Sequence, residues 1–334
     1  MIVVGGHCMK IAIFGAGAMG AMVGAYLKKG GGEVYFVDPY EAHMKAISDN
    51  GLYMEIEGYA PETVRVDGTT GNAADVGICD VVILLVKGIN TTASIESNRA
   101  LIGEDTIVIT LQNGIGNVDL LKELMPEENI GYGILKSSAT LYAPGKIFGR
   151  DRFAESPAGA FFYPLQKTTK NFAVYQELIR LFASGGFIAQ LAENIDAIIW
   201  DKLYNNAVFN CPCAILQIAP QDFISHEMGT ELYKKIGREV CEVATAKGIP
   251  MDADDYWVHH GLPSIPTGQV TVRHYTSAIH DVSRKNKTEV DFLNGAVYRE
   301  GQKLGIATPY NETIWRMTKV LEDTYDLKYK PESN

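Results

Sequence analysis

Three groups of residues in this chain have types and spacings that could do chemistry. The first is Gly15-Ala16-Gly17-Ala18-Met19-Gly20, a G-x-G-x-x-G run. Between a strand and a helix, the first glycine permits a tight turn and the second lets the backbone approach a pyrophosphate. The third allows close helix-to-strand packing, and the helix N-terminus attracts the phosphate charge. Standing alone the pattern is weak, and a glycine turn with no ligand is the competing reading. The second group is Lys202, Asn206 and Asn210, spaced i, i+4, i+8 in an otherwise largely apolar segment, which aligns an ammonium and two carboxamides on one helix face. Buried Lys and Asn cost free energy without partners, and a cleft holding a polar ligand would supply them. A solvated face is the alternative, although asparagine is a poor helix former. The third group is Asn113-Gly114, after an apolar run, together with the polar stretch from Ser277 to Glu289. Asn-Gly is often only a turn, and a glutamate opening a helix is explained by the helix dipole, so residue type alone does not assign either.

These groups need elements to position them. Residues 10–15 read as a buried strand, the small and apolar residues to Lys29 as a helix, and 33–38 as a second strand, which together make the βαβ unit of a parallel sheet. Residues 81–87 and 106–112 are further apolar runs without alternation, as expected of strands covered on both faces. Asn113 therefore falls at a strand's carboxyl end, where doubly wound sheets bind ligands. Asp38 ends the second strand, where a carboxylate can accept from both ribose hydroxyls and repel a 2'-phosphate. NADH is thereby favoured over NADPH, although Lys87 could meet a phosphate, and an exposed Asp opening a turn with Pro39 is the bland reading. After Gly131 the chain reads as short extended pieces, a helix over 171–184 and a strand over 187–191. Helices are then predicted over 195–211, 231–247, 288–304 and 309–323. Pro212, Gly248 and Gly305 serve as stop signals, and Thr308-Pro309 as N-cap and first helical residue of the last. The expected architecture is α/β: a Rossmann-type, doubly wound parallel sheet over 9–191, followed by an all-helical domain over 192–328.

Composition narrows the function classes. Forty acidic against thirty basic residues give a formal charge of −10 with no long basic run, which argues against nucleic acid as a partner. No apolar run approaches the ~18 residues of a membrane span, and residues 1–8 lack the pattern of a signal peptide. Met9, immediately before the first strand, is a natural start for the fold, and residues 1–8 are expected to be a short extension or the product of an upstream start codon. The five cysteines are odd in number and form neither a CxxC pair nor a metal-like spacing with histidine. Ordinary core or loop thiols, a cytoplasmic location and no metal are expected.

Taken together the segments resemble the ketopantoate reductase (2-dehydropantoate 2-reductase) family. The resemblance runs from Lys10-Ile-Ala-Ile-Phe-Gly through Leu84-Leu-Val-Lys87, Gln112-Asn-Gly114, Trp200-Asp-Lys202-Leu, Thr288-Glu-Val-Asp-Phe-Leu-Asn-Gly295 and Gly305-Ile-Ala-Thr-Pro309, in the family's order. It implies a C-terminal domain like that of 6-phosphogluconate dehydrogenase, a small 2-keto acid substrate, and a homodimer. It implies Lys202 as general acid, Asn206, Asn210 and Ser277 as substrate ligands, and Glu289 in contact with lysine, substrate or cofactor. Asn113 would lie near the nicotinamide ribose and substrate, and Lys87 against the cofactor, alongside the turn of Gly15, Ala16, Gly17, Ala18, Met19 and Gly20. Three departures stand out: 217–221 reads Gln-Ile-Ala-Pro-Gln where the family often has a further asparagine, Ser277-Ala-Ile-His280-Asp281 replaces the usual Ser-Met-x-Gln-Asp, and Asp38-Pro39 stands where many NADPH users have a basic residue. The first two leave room for another branched or hydroxylated 2-keto acid. A non-catalytic NAD(H)-sensing regulator is the third reading, and it has no use for the Lys202 ridge.

Overall fold

The computed structural model describes residues 8–150, 159–260 and 275–327. By contacts the chain divides into two units, one of residues 1–112 and 117–195, the other of residues 113–116 and 196–334.

Among its described residues the first unit has twelve strands. An eight-stranded sheet contains β1 (Lys10–Phe14), β2 (Glu33–Val37), β5 (Gly68–Thr70), β6 (Val81–Leu84), β7 (Ile107–Thr110), β8 (Ile130–Lys136), β11 (Gly159–Pro164) and β12 (Ala189–Leu191). Its order is β12-β11-β8-β7-β6-β1-β2-β5. Pairing is parallel from β5 to β8, with Ile11 opposite both Val34 and Val81, and β11 turns antiparallel to β8. The central strands β6 and β7 are buried at every position because both faces are covered, whereas the edge strand β5, Gly68-Thr-Thr70, is half-buried. Ile11, Ile13 and Ile109 join α1 (Ala18–Lys29), α2 (Glu41–Asn50) and α5 (Thr169–Gly185) in one core. Ala12, Phe14 and Val108 join the side of α3 (Thr91–Ser97) and α4 (Asn117–Lys122) in another. β1 lies between β2 and β6, at the point where the strand order reverses and the ends of doubly wound sheets leave a crevice.

The sheet is thus not parallel throughout, and a second sheet was not foreseen. β3 (Leu52–Ile56), β4 (Glu62–Val64), β9 (Ser138–Ala143) and β10 (Lys146–Arg150) form it in the order β4-β3-β10-β9. Its Leu52, Met54, Ile56 and Ile147 bury themselves in the same core as Met22 of α1.

Among its described residues the second unit contains helices and no strands: α6 (Ile195–Leu216, entered from the first unit), α7 (Pro220–Ser225), α8 (Glu227–Ala246), α9 (Ala253–His260), α10 (Ser277–Ser283), α11 (Asn294–Leu304) and α12 (Pro309–Asp323). Three boundary expectations are corrected. Pro212 does not stop α6, which continues one turn beyond it. The flanking Cys211, Cys213 and Ala214 are fully buried, so tertiary packing outweighs the lost backbone hydrogen bond. The helix expected over 288–304 is broken: Val290–Phe292 is a single 3-10 turn, Leu293 leaves helical geometry at φ −108° and ψ −107°, and α11 starts at Asn294. Glu289 therefore caps a short turn instead of opening a long helix, and the dipole explanation for it does not apply. Thr308 makes no side-chain cap on α12. Glu239 of α8 takes that place, accepting from the Tyr310 and Asn311 backbone N–H groups at 2.9 Å each and from Asn311 Nδ2 at 2.8 Å. Pro309 and the left-handed Gly305 behave as expected.

Candidate functional site

In the first unit the glycine run lies between β1 and α1. Gly15 has φ +87°, and a Cβ there would come within 2.5 Å of the Val86 nitrogen. A Cβ on Gly20 would lie 2.0 Å from the Gly15 carbonyl oxygen, so α1 can close on the turn only without one. Gly17 differs: a Cβ there would meet nothing within 4 Å, leaving open space beside the backbone. Gly17 is the N-cap of α1, no side chain caps the helix, and its first turn, beginning Ala18-Met19, holds no acidic residue. The three glycines thus meet three separate steric conditions, a left-handed turn, an open backbone edge and close helix-to-turn packing, and the first turn of α1 carries no acidic side chain of its own. Ala16 is buried, while Ala18 and Met19 are half-buried.

Asp38 follows β2, half-buried. Its Oδ1 accepts the Tyr40 N–H at 2.8 Å, and its own N–H donates to Thr70 O. Lys87 follows β6, half-buried, and caps the 3-10 turn Gly88–Asn90. Gln112, to which the sequence motif assigned no role of its own, is buried and fastens this rim. Its Nε2 donates to Val86 O and Thr91 Oγ1 at 2.8 Å each, while Oε1 accepts from Thr110 Oγ1 at 2.8 Å. The available signal was a glutamine ending an otherwise apolar strand.

The second unit gathers the remaining residues. Lys202, Asn206 and Asn210 all lie on α6, the first two half-buried and Asn210 buried. Asn113 and Glu289, 176 positions apart, meet: Asn113 Nδ2 donates to Glu289 Oε2 at 2.9 Å. The approach depends on Gly114, at φ +80°, where a Cβ would lie 2.0 Å from the Phe292 carbonyl oxygen. Next to it the Ile115 N–H donates to that same carbonyl at 3.0 Å.

The framework behind these residues is polar and buried. Thr288 donates its N–H (2.7 Å) and hydroxyl (2.6 Å) to Glu322 Oε1 of α12, and Glu322 Oε2 lies 3.3 Å from Lys319 Nζ. This pins the residue preceding Glu289. Asn294 Nδ2 donates to the Ala207 carbonyl of α6 and to Asn311 Oδ1, both at 3.0 Å, which ties α6 beside Asn206 to α11 and α12. Ser277 is exposed at the start of α10. Its neighbour Thr276 reaches the Asn210 carbonyl at 3.4 Å, and Ala278 packs on Ala214. Asn210, Ser277, Glu289 and Asn113 are thus held by one connected scaffold within this unit. Cys211, between these elements, has its thiol pushed far above the usual range by burial and has no nucleophilic use there. Among the described residues no cluster of His, Cys, Asp and Glu could hold a metal ion, and no helix is long and apolar enough to cross a membrane.

Comparison with known proteins bears on the same two stretches. Residues 11–155 match the family model for ketopantoate reductase PanE/ApbA, and residues 194–322 match the model for its C-terminal domain. The chain belongs to the ketopantoate reductase family. Within it, the 2-dehydropantoate 2-reductase of Pyrococcus horikoshii is 30% identical, with 94% of this chain and 98% of the relative aligned. That of Streptococcus pyogenes serotype M1 is 29% identical over 96% of this chain and the whole of the relative. Among solved structures, a ternary complex of D-mandelate dehydrogenase with NADH and anilino(oxo)acetate superposes with a TM-score of 0.83 at 28% identity, covering 96% of this chain and all of that one.

Proposed function

We propose that this protein reduces 2-dehydropantoate to pantoate with a nicotinamide cofactor, the step that leads to pantothenate. The observation that carries the reading is the Asn113–Glu289 hydrogen bond, which joins two separate segments of the family resemblance within the unit that also carries the Lys202 ridge. Family membership and the named relatives support the reaction class.

The cofactor, when bound, supplies the hydride that goes to the keto carbon. The ketone oxygen then needs a proton, and Lys202 is the donor as its ammonium, stabilising the developing negative charge before transfer. Asn206, Asn210 and Ser277 hold the substrate's carboxylate and hydroxyl, an orientation worth several kcal/mol if it restricts the ketone to a reactive pose. Glu289, fixed by Asn113, faces the lysine, substrate or cofactor. Gly15 to Gly20 hold the pyrophosphate, Asp38 the adenosine ribose, and Lys87 a further part of the cofactor. On this reading Asp38 makes NADH the preferred cofactor over NADPH.

The test is initial-rate oxidation of NADH and of NADPH across a panel of 2-keto acids. Ketopantoate is expected to give the highest kcat/KM, with NADH ahead of NADPH, and Lys202→Ala should abolish turnover while NADH binding survives. Cofactor binding with no keto-acid activity would end the assignment.

The likeness to D-mandelate dehydrogenase favours a second reading, reduction of another branched or hydroxylated 2-keto acid with NADH, and the altered 217–221 and 277–281 segments agree with it. The panel separates the two. A second copy of the chain is the proposed partner. Tyr310, Met317 and Val320 form an exposed apolar stripe on α12, and sedimentation at two protein concentrations checks it. The cysteines, free and mostly buried, favour the cytoplasm.

A further inference from the structure

His43 is fully buried in α2, and neither the sequence motifs nor the proposed chemistry uses it. Both of its ring nitrogens are engaged. Nδ1 lies 2.8 Å from the Gly145 nitrogen, in the turn between β9 and β10, and Nε2 lies 2.9 Å from the Ala16 carbonyl oxygen, inside the glycine run. A backbone N–H can only donate and a carbonyl can only accept, so the two partners fix the tautomer. Nδ1 accepts from Gly145, and Nε2–H donates to Ala16. Gly145 has φ +73°, and a Cβ there would press to 3.0 Å of Ala46, so this turn settles on α2 only as glycine.

The consequence lies on the other edge of the Ala16–Gly17 peptide. A trans peptide is planar, and its C=O and N–H point in opposite directions. Holding the Ala16 oxygen toward His43 turns the Gly17 N–H away from it. It also keeps a carbonyl's negative end from swinging round to face a phosphate. Gly17 is the position where a Cβ would enter open space and where α1 begins.

We propose that His43 is a positioning residue for the dinucleotide: by donating Nε2–H to the Ala16 carbonyl it presets the Gly17 N–H as a pyrophosphate donor. The inference rests on the nicotinamide reading of the site. Its effect is on cofactor affinity and not on the chemical step, because His43 belongs to the glycine-turn unit and the proton donor and substrate ligands belong to the other.

The experiment compares wild type, His43→Gln and His43→Leu by fluorescence titration with NADH, together with steady-state kinetics and thermal unfolding. Glutamine can still donate and accept, whereas leucine fills part of the space and can do neither. His43→Leu should weaken NADH binding about tenfold, the equivalent of one lost hydrogen bond. His43→Gln should recover much of this, with kcat at saturating NADH and KM for the keto acid within about twofold of wild type. In 15N-histidine-labelled wild type, the His43 resonance, assigned by its loss in His43→Gln, should show the Nε2–H tautomer and move on NADH saturation. This measurement decides the matter if the leucine variant does not fold. Wild-type NADH affinity in a folded leucine variant, an Nδ1–H tautomer, or a resonance indifferent to NADH would overturn the role of His43. Failure of wild type to bind NADH at all would instead overturn the cofactor reading beneath it.

Discussion

Gly114→Ala should separate the Asn113–Glu289 arrangement from general backbone strain. The added methyl incurs two costs. At φ +80° an L side chain loses about 1–2 kcal/mol against glycine. The Cβ would also sit 2.0 Å from the Phe292 carbonyl oxygen, a backbone atom with no flexible side chain to yield, so the 113–116 segment must lift away. Lifting breaks the Ile115–Phe292 bond, worth ~1 kcal/mol, and the Asn113–Glu289 bond to a carboxylate, worth about 1.5–3 kcal/mol. These are not strictly additive, but together they exceed strain alone by at least ~2 kcal/mol. Gly248→Ala supplies the control: its φ is +84°, and its Cβ would meet nothing within 4 Å, so it carries the strain without the collision. If Glu289 must be held for turnover, Gly114→Ala lowers kcat/KM for the keto acid roughly ten- to hundredfold while Gly248→Ala stays near wild type. Thermal unfolding should show the larger loss for Gly114→Ala. Equal behaviour of the two variants in both assays would refute the argument that this segment is docked by close backbone approach.

Three further outcomes are expected. Glu239→Ala removes the carboxylate that accepts the Tyr310 and Asn311 N–H groups and Asn311 Nδ2 at the start of α12 and should cost about 3 kcal/mol, lowering the melting temperature by roughly 6–12 °C, with Glu239→Gln losing clearly less. Burial holds the His43 pKa below its ordinary 6.5. The unfolded chain therefore takes up a proton that the fold refuses, so this contribution is complete above pH 6.5 and shrinks as pH falls through the window beneath it. Urea unfolding at pH 7.5 and 5.5 should show lower stability at the acid end, with a shallower difference in His43→Gln. Asp38→Asn removes the charge that would oppose a 2'-phosphate. It should narrow the NADH-over-NADPH ratio of kcat/KM, and an unchanged ratio would remove Asp38 from cofactor selection.

How much was legible in the sequence depended on the range of the interaction. The glycine run could be read because its spacing is itself the signal: Gly20 answers to the Gly15 carbonyl five residues back, whereas the approach of Gly15 to Leu85 and Val86, some seventy residues on, could not be read locally. The spacing of Lys202, Asn206 and Asn210 could be read because helical geometry alone puts them on one face of α6. Pro212 misled because a local rule was overruled by burial on every side, and Thr308 because the group that caps α12 lies some seventy residues earlier, on α8. Glu289 left its expected helix for a similar reason. Glu322 fastens Thr288 and the Asn113 segment docks on Phe292, two contacts from distant stretches that no local pattern records. The four-stranded sheet escaped notice because its strands are short, and β3 pairs with β10, some ninety residues on.

The excursion of residues 113–116 has a bearing on how such proteins can be recombined. The polypeptide changes unit three times, at 112/113, 116/117 and 195/196, so no single cut yields two self-sufficient halves. A fragment beginning at 196 would lack the tetrapeptide that seats on Phe292 and reaches Glu289. Chimeras between relatives should inherit these four residues from the parent that donates the helices, whichever parent donates the strand that leads into them.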